Sequence, residues 1–145
     1  MKPNDPRGWI GVDLDGTLAD YSAGWQSATH IGAPVPAMLA RVKRWLAEGR
    51  QVRIFTARVW PITTVLTWDS PAHELLFEYG DTEDARSALV AAEAALLWTR
   101  EHLGVALPVT CVKDKAMIEL YDDRCVQVVA DTGELVGESS RGVSP

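Results

Sequence analysis

Cysteine, histidine and excess positive charge are all scarce in this chain. Only Cys111 and Cys125 occur in 145 residues, too few for a disulfide framework, and both lie in apolar strand-like stretches, so they read as small reduced core residues. The three histidines, His30, His73 and His102, are scattered without ligand spacing, which argues against a zinc centre. No apolar run is long enough to span a bilayer, and Met1 to Arg7 holds no apolar h-region for export. The expectation is a cytoplasmic protein without a membrane partner. Lys and Arg number 14 against 20 Asp and Glu, a net charge of -6. A phosphodiester backbone gains little from such a surface, so a long nucleic acid is disfavoured as a partner.

What is present is an ordinary globular composition, 47% hydrophobic and 23% charged, on a length suited to a single domain over residues 1–145. Gly8 to Asp13 is a short apolar run ending in an acid, and Gln51 to Thr56 is another ending in a hydroxyl. Between them Val35, Met38, Leu39, Val42, Trp45 and Leu46 recur at helical spacing, with Pro36 at the start and Gly49 at the end. That is a strand, crossover helix and parallel strand, which points to an α/β fold. Residues 58–80 read as an insert with one short helix beginning at Ser70-Pro71. A longer helix follows, with acidic Asp81, Glu83 and Asp84 in its first turn, an apolar face of Ala85, Leu89, Ala92, Leu96, Leu97 and Leu103, and Gly104 as its stop. Pro108 to Val112, Ile118 to Asp122 and Cys125 to Val129 read as further strands, and residues 137–145 as a frayed tail. Asp114 to Met117 is a short link for the crossing it has to make, so the fourth strand is expected to be brief, about Leu120 to Asp122, after a single helical turn.

The chemistry lies at the ends of the apolar runs: Asp13 and Asp15 after the first, Thr56 after the second, Lys113 after the third, Asp122 and Asp123 after the fourth. Ligands of open parallel sheets bind outside the carboxyl ends of the strands, so these residues converge on one mouth. Carboxylates crowded there repel each other until a cation neutralises them, and oxygen donors without His or Cys suit Mg²⁺. The Thr56 hydroxyl, an ammonium and the backbone N-H groups of Gly16-Thr17 supply donors for phosphate oxygens. Acid, metal and phosphate donors together indicate phosphoryl transfer, with Asp13 on the strand end as nucleophile and Asp15 on the turn as acid and base.

At these residues the sequence resembles the haloacid dehalogenase superfamily of phosphohydrolases. Asp13-Leu14-Asp15-Gly16-Thr17 matches its first motif, Thr56 the second, a Lys before the last acids the third, and Tyr121-Asp122-Asp123 the fourth, in family order from Trp9 to about Val129. The resemblance implies a three-layer Rossmann-like parallel sheet with helices on both faces, Asp13 as nucleophile forming an aspartyl-phosphate, and Asp15 as acid/base. It also implies Mg²⁺ held by Asp13, the Asp15 carbonyl and the Asp122-Asp123 pair, without deciding which of the pair touches the ion. Lys113 is preferred to Lys115 as the phosphate lysine because it follows the third strand directly. Only Tyr21 to Val35 follows the first motif, too short for a cap domain, so the chain resembles a capless member, with 58–80 as the one candidate for a small lid.

Several residues have a blander reading beside the sharp one. Arg58 reads equally as an anion-binding residue or a structural one, and Arg124 as half of a surface ion pair, with anion binding as its alternative. Trp9, Trp45 and Trp98 read as core; Trp25, Trp60 and Trp68, in the segments flanking the mouth, read as packing side chains, with stacking on a ring as the alternative. The leading expectation is a Mg²⁺-dependent phosphomonoesterase acting on a small phosphorylated molecule. The alternatives are a receiver-like phospho-accepting module and an inactive scaffold that binds phosphate without turnover.

Overall fold

The computed structural model describes residues 5–137. It is built on a four-stranded, all-parallel sheet in the order β3-β2-β1-β4, formed by β1 (Trp9–Val12), β2 (Gln51–Phe55), β3 (Val109–Thr110) and β4 (Met117–Tyr121). Helix α1 (Pro36–Ala47) connects β1 to β2, and α2 (Ala72–Tyr79) and α3 (Glu83–Leu103) lie between β2 and β3. The fold is therefore α/β, as the strand-helix-strand pattern indicates. No helix of the described residues is long and apolar enough to cross a membrane.

The helices follow their local sequence signals. Pro36 opens α1, where its missing N-H is no loss, and the chain leaves that helix through Gly49 at φ +78°. Ser70 does not cap α2; its hydroxyl accepts from the Thr67 N-H instead. Thr82 caps α3 by accepting from Ala85 N-H, and Gly104 closes it in the left-handed conformation. Leu97 is exposed, contrary to its expected place on the apolar face; the buried stripe is built largely from small residues, Ala85, Ala88, Ala91, Ala92 and Ala95, with Leu96 and Trp98. Small side chains let this long helix lie close to its neighbours.

The steps from β1 to β2 and from β2 to β3 run in the same direction across the sheet, so right-handed crossovers put α1 and α3 on the same face. Ile10, Val12, Val52, Ile54 and Val109 accordingly share one core cluster with Met38, Val42, Trp45 and the alanines of α3. The expectation of helices on both faces is corrected here. The return from β3 to β4 crosses three strand spacings, about 14 Å, with only residues 111–116 between the strands. That length leaves no room for a helix. The alternate residues Trp9 and Arg53 point to the other face, where Asp114 of the link accepts from Trp9 Nε1 at 2.8 Å and from Arg53 at 3.4 Å, with the guanidinium 4.6 Å from the indole centroid.

Three further expectations are revised. The fourth strand is longer than predicted, beginning at Met117, because it pairs along the whole of β1 with a register shift between Trp9 and Ile10. Residues Cys125 to Val129 add no strand to the sheet: Val128 bridges only to Leu135 in a local antiparallel turn, and Cys125 is exposed, while Cys111 is half-buried. Of the expected tail only Gly137 falls within the described residues. The insert is sewn to the sheet edge, with Leu66 and Val109 exchanging backbone hydrogen bonds at 2.8 and 2.9 Å and Ile62, Leu66 and Leu75 in the core.

Candidate functional site

The turn after β1 is the foundation of the site. Leu14 and Leu18 are fully buried, and the Leu14 carbonyl accepts from Thr17, Leu18 and Ala19 N-H, which folds residues 13–19 into a compact knot. With Leu14 pointing into the core, Asp13 and Asp15 on either side of it border the cavity at the carboxyl end of the sheet. Gly16 is required at its position: it has φ +89°, and a Cβ there would stand 2.7 Å from an Asp123 oxygen. Asp123 is thus packed directly on the turn, and its N-H donates to the Thr17 hydroxyl at 3.0 Å.

Asp13, Asp122 and Asp123 each offer an oxygen within 4.8 Å of the others. The Thr17 hydroxyl is 3.2 Å from both Asp13 and Asp123, but its single hydrogen serves one at a time. Burial of Asp13, a hydrogen bond shared with Asp123 and the charge of Asp122 push the Asp13 carboxyl up to about 7. No described cation pairs with these acids. Three hard oxygen donors without nitrogen or sulfur form a set that can hold a Mg²⁺ ion.

Asp15 is in a different situation. Arg58 grips it with two bonds, Nε to Oδ2 at 2.6 Å and Nη2 to Oδ1 at 2.8 Å. The Arg58 side chain is only 5% exposed. The same guanidinium donates to the carbonyls of His30 at 2.9 Å and of Ser27 and Ala28 at 3.4 Å, and lies 4.8 Å from the Trp25 ring centroid. It therefore fastens the 21–35 loop to the start of the insert. The loop is also held from below, where buried Trp98 donates to the Gly32 carbonyl. Of the two readings of Arg58, the geometry places it in a structural clamp on Asp15.

A cavity of about 540 Å³ joins these groups, bordered by Asp13, Asp15, Asp122, Asp123 and Thr56, and also by Tyr21, Trp25, Trp60, Asp84, Ser87 and Arg124. Thr56 is buried and accepts from Arg58 N-H at 3.2 Å, which starts a 3₁₀ turn over Ala57–Val59 and leaves the hydroxyl hydrogen for another acceptor. Gly16 and Thr17 stand behind Asp123 rather than bordering the cavity themselves. Lys113 and Lys115 are exposed and neither borders the cavity. The cause is the early end of β3 at Thr110, whose hydroxyl accepts from Val112 N-H and turns the chain into the diagonal link. Arg124 borders the cavity and forms no ion pair among the described residues, so its expected surface pair is corrected.

Trp9, Trp45 and Trp98 are buried as expected, but Trp25, Trp60 and Trp68 are exposed rather than packed. Only Trp25 and Trp60 border the mouth; Trp68 lies in a separate cavity with Arg100 near its ring. The sequence pattern missed Asp84 and Ser87, which the exposed N-terminal turns of α3 bring to the rim. It also missed the pairing of Asp15 with Arg58, which no local spacing signals. No protein-family model, curated protein or solved structure matches the chain.

Proposed function

We propose that the chain is a Mg²⁺-dependent phosphomonoesterase of the haloacid dehalogenase type acting on a small phosphorylated molecule through Asp13. The single observation that carries this reading is the meeting of Asp13, Asp122 and Asp123 beside the buried Thr56 hydroxyl at the carboxyl end of a parallel sheet. A Mg²⁺ ion bound by those three acids would neutralise them and offset the charge of the transferring phosphoryl group.

Asp13 sits on a strand end with its main chain fixed, since its N-H donates to the Tyr121 carbonyl at 2.9 Å. An oxygen of Asp13 forms a bond to phosphorus while the bond from phosphorus to the ester oxygen breaks, and Asp15 delivers a proton to the leaving oxygen. Water then attacks the aspartyl-phosphate, giving its proton to Asp15, and the Asp13 oxygen leaves as carboxylate. Thr56 donates its hydroxyl hydrogen to a phosphoryl oxygen, and Arg124 is the unpaired cation at the rim. Arg58 keeps the Asp15 carboxylate from swinging. For Asp15 to carry a proton, one of its two bonds to Arg58 must be given up.

That clamp is also the observation that favours a second reading, a phosphate-binding or phospho-accepting module without turnover. An assay separates the two. Purified protein with Mg²⁺ and an aryl phosphate should release phosphate, and both a chelator and Asp13→Asn should abolish release. Binding of the ester without released phosphate would favour the module.

A further inference from the structure

Two tryptophans left in water at the rim of a phosphate site need an explanation. Trp25 is 55% and Trp60 61% exposed, yet both border the cavity that holds Asp13 and Thr56. Exposed indole forgoes the gain of burial, and an exposed ring beside a reactive centre is a surface for a ligand. Trp68, also exposed, sits in another cavity, so exposure alone does not mark the site.

We infer, resting on the phosphatase reading above, that the substrate is a nucleoside monophosphate whose base stacks at Trp60, with Trp25 as the neighbouring wall. Every base offers a flat π-face to an aromatic side chain. The same cavity supplies edge partners: Asp84 can accept from an exocyclic amine or ring N-H, and the Ser87 hydroxyl can donate or accept. The cavity, at about 540 Å³, falls within the range of small-molecule sites. A cationic head group is the competing ligand for tryptophan, but the Arg58 guanidinium already lies against Trp25. Charge selects the single phosphate over a polymer. Asp13, Asp15, Asp84, Asp122 and Asp123 border the mouth against Arg58 and Arg124, and the chain carries -6 overall.

The test compares kcat/KM, with Mg²⁺ present, for adenosine 5′-monophosphate, ribose 5-phosphate, phosphocholine and a 3′-phosphorylated oligonucleotide. The mononucleotide should be preferred to ribose 5-phosphate by about ten-fold or more, a preference that Trp60→Ala collapses mainly through KM and Trp60→Phe largely keeps. In an Asp13→Asn background the mononucleotide should quench tryptophan fluorescence, and ribose 5-phosphate should not. Phosphate release without preference for the nucleotide, or a preference untouched by Trp60→Ala, overturns the inference. So does a preference for the oligonucleotide or phosphocholine. Release from no ester overturns the phosphatase reading instead, and quenching by the mononucleotide then decides the stacking claim by itself.

Discussion

The two sides of the mouth handle the same problem, a buried or half-buried carboxylate, in opposite ways. Asp15 is neutralised from within the chain, by a guanidinium that three backbone carbonyls and an indole also hold in place. Asp13 is left with Asp122 and Asp123, and the donors described among them, the Thr17 hydroxyl and the Arg124 backbone N-H, carry no charge. Carboxylates crowded in this way repel one another, and burial and this repulsion together raise the Asp13 carboxyl, with no described cation to meet them. The contrast separates the two halves: the Arg58 side is complete as it stands, and the Asp13 side is the one that the proposed Mg²⁺ would complete. Strain kept at one place and offset elsewhere is the usual mark of a working site.

The largest expected effect tests the complete side. Arg58→Ala leaves Asp15 half-buried without a partner and unties the 21–35 loop, and unfolding in denaturant should show a loss of about 3–5 kcal/mol. Arg58→Lys keeps the charge but not the fork, so a smaller loss of about 1–2 kcal/mol is expected. If Arg58→Ala were neutral, the clamp would be no scaffold.

The incomplete side is tested by pH. The Asp13 carboxyl has its folded value raised from 3.8 to about 7, so the folded chain keeps that proton when the unfolded chain has lost it. Its contribution to stability therefore falls as pH rises between 3.8 and about 7, and the loss is complete above that window. Thermal melts of the metal-free protein should show this decline, and Asp13→Asn should remove it. Mg²⁺ should raise Tm more at pH 8 than at pH 5, because the cation binds carboxylate rather than carboxylic acid. An equal rise at both values would contradict a metal site built on these acids.

A smaller effect sharpens the boundary between the two sides. Gly16→Ala places a methyl group against Asp123 at a positive φ, which should cost about 1–3 kcal/mol and displace one member of the acidic set. Its signature is a weaker Mg²⁺-induced rise in Tm, beyond the loss of stability itself. Arg58→Lys should leave that rise in place.

Much of this architecture was legible in the residues, for reasons that also mark where reading stopped. The Asp13 turn, the α1 crossover and the gathering of Thr56 with Asp122 and Asp123 follow from strand-end positions, which local pattern defines well. Whether Lys113 borders the cavity depends on where β3 stops, and β3 is an edge strand of two residues closed by a threonine turn, after which Lys113 lies outside the lining. The second face was expected to carry helices, although the six residues between β3 and β4 cannot form one. Residues Cys125 to Val129 have an apolar pattern fit for a strand but found no partner beyond a local turn. The Asp15 and Arg58 pair spans 43 positions and depends on a long arginine reaching back from the 3₁₀ turn, a contact that periodicity does not encode.

The central claim, that Asp13 takes the phosphoryl group, is tested most directly by trapping. Protein turning over a phosphate monoester with Mg²⁺ is quenched with borohydride, which reduces an acyl phosphate to an alcohol, and its peptides are read by mass spectrometry. The account predicts reduction at Asp13 alone, dependent on both Mg²⁺ and the ester. Phosphate release with Asp13 unmodified, or reduction at another carboxylate, would contradict it.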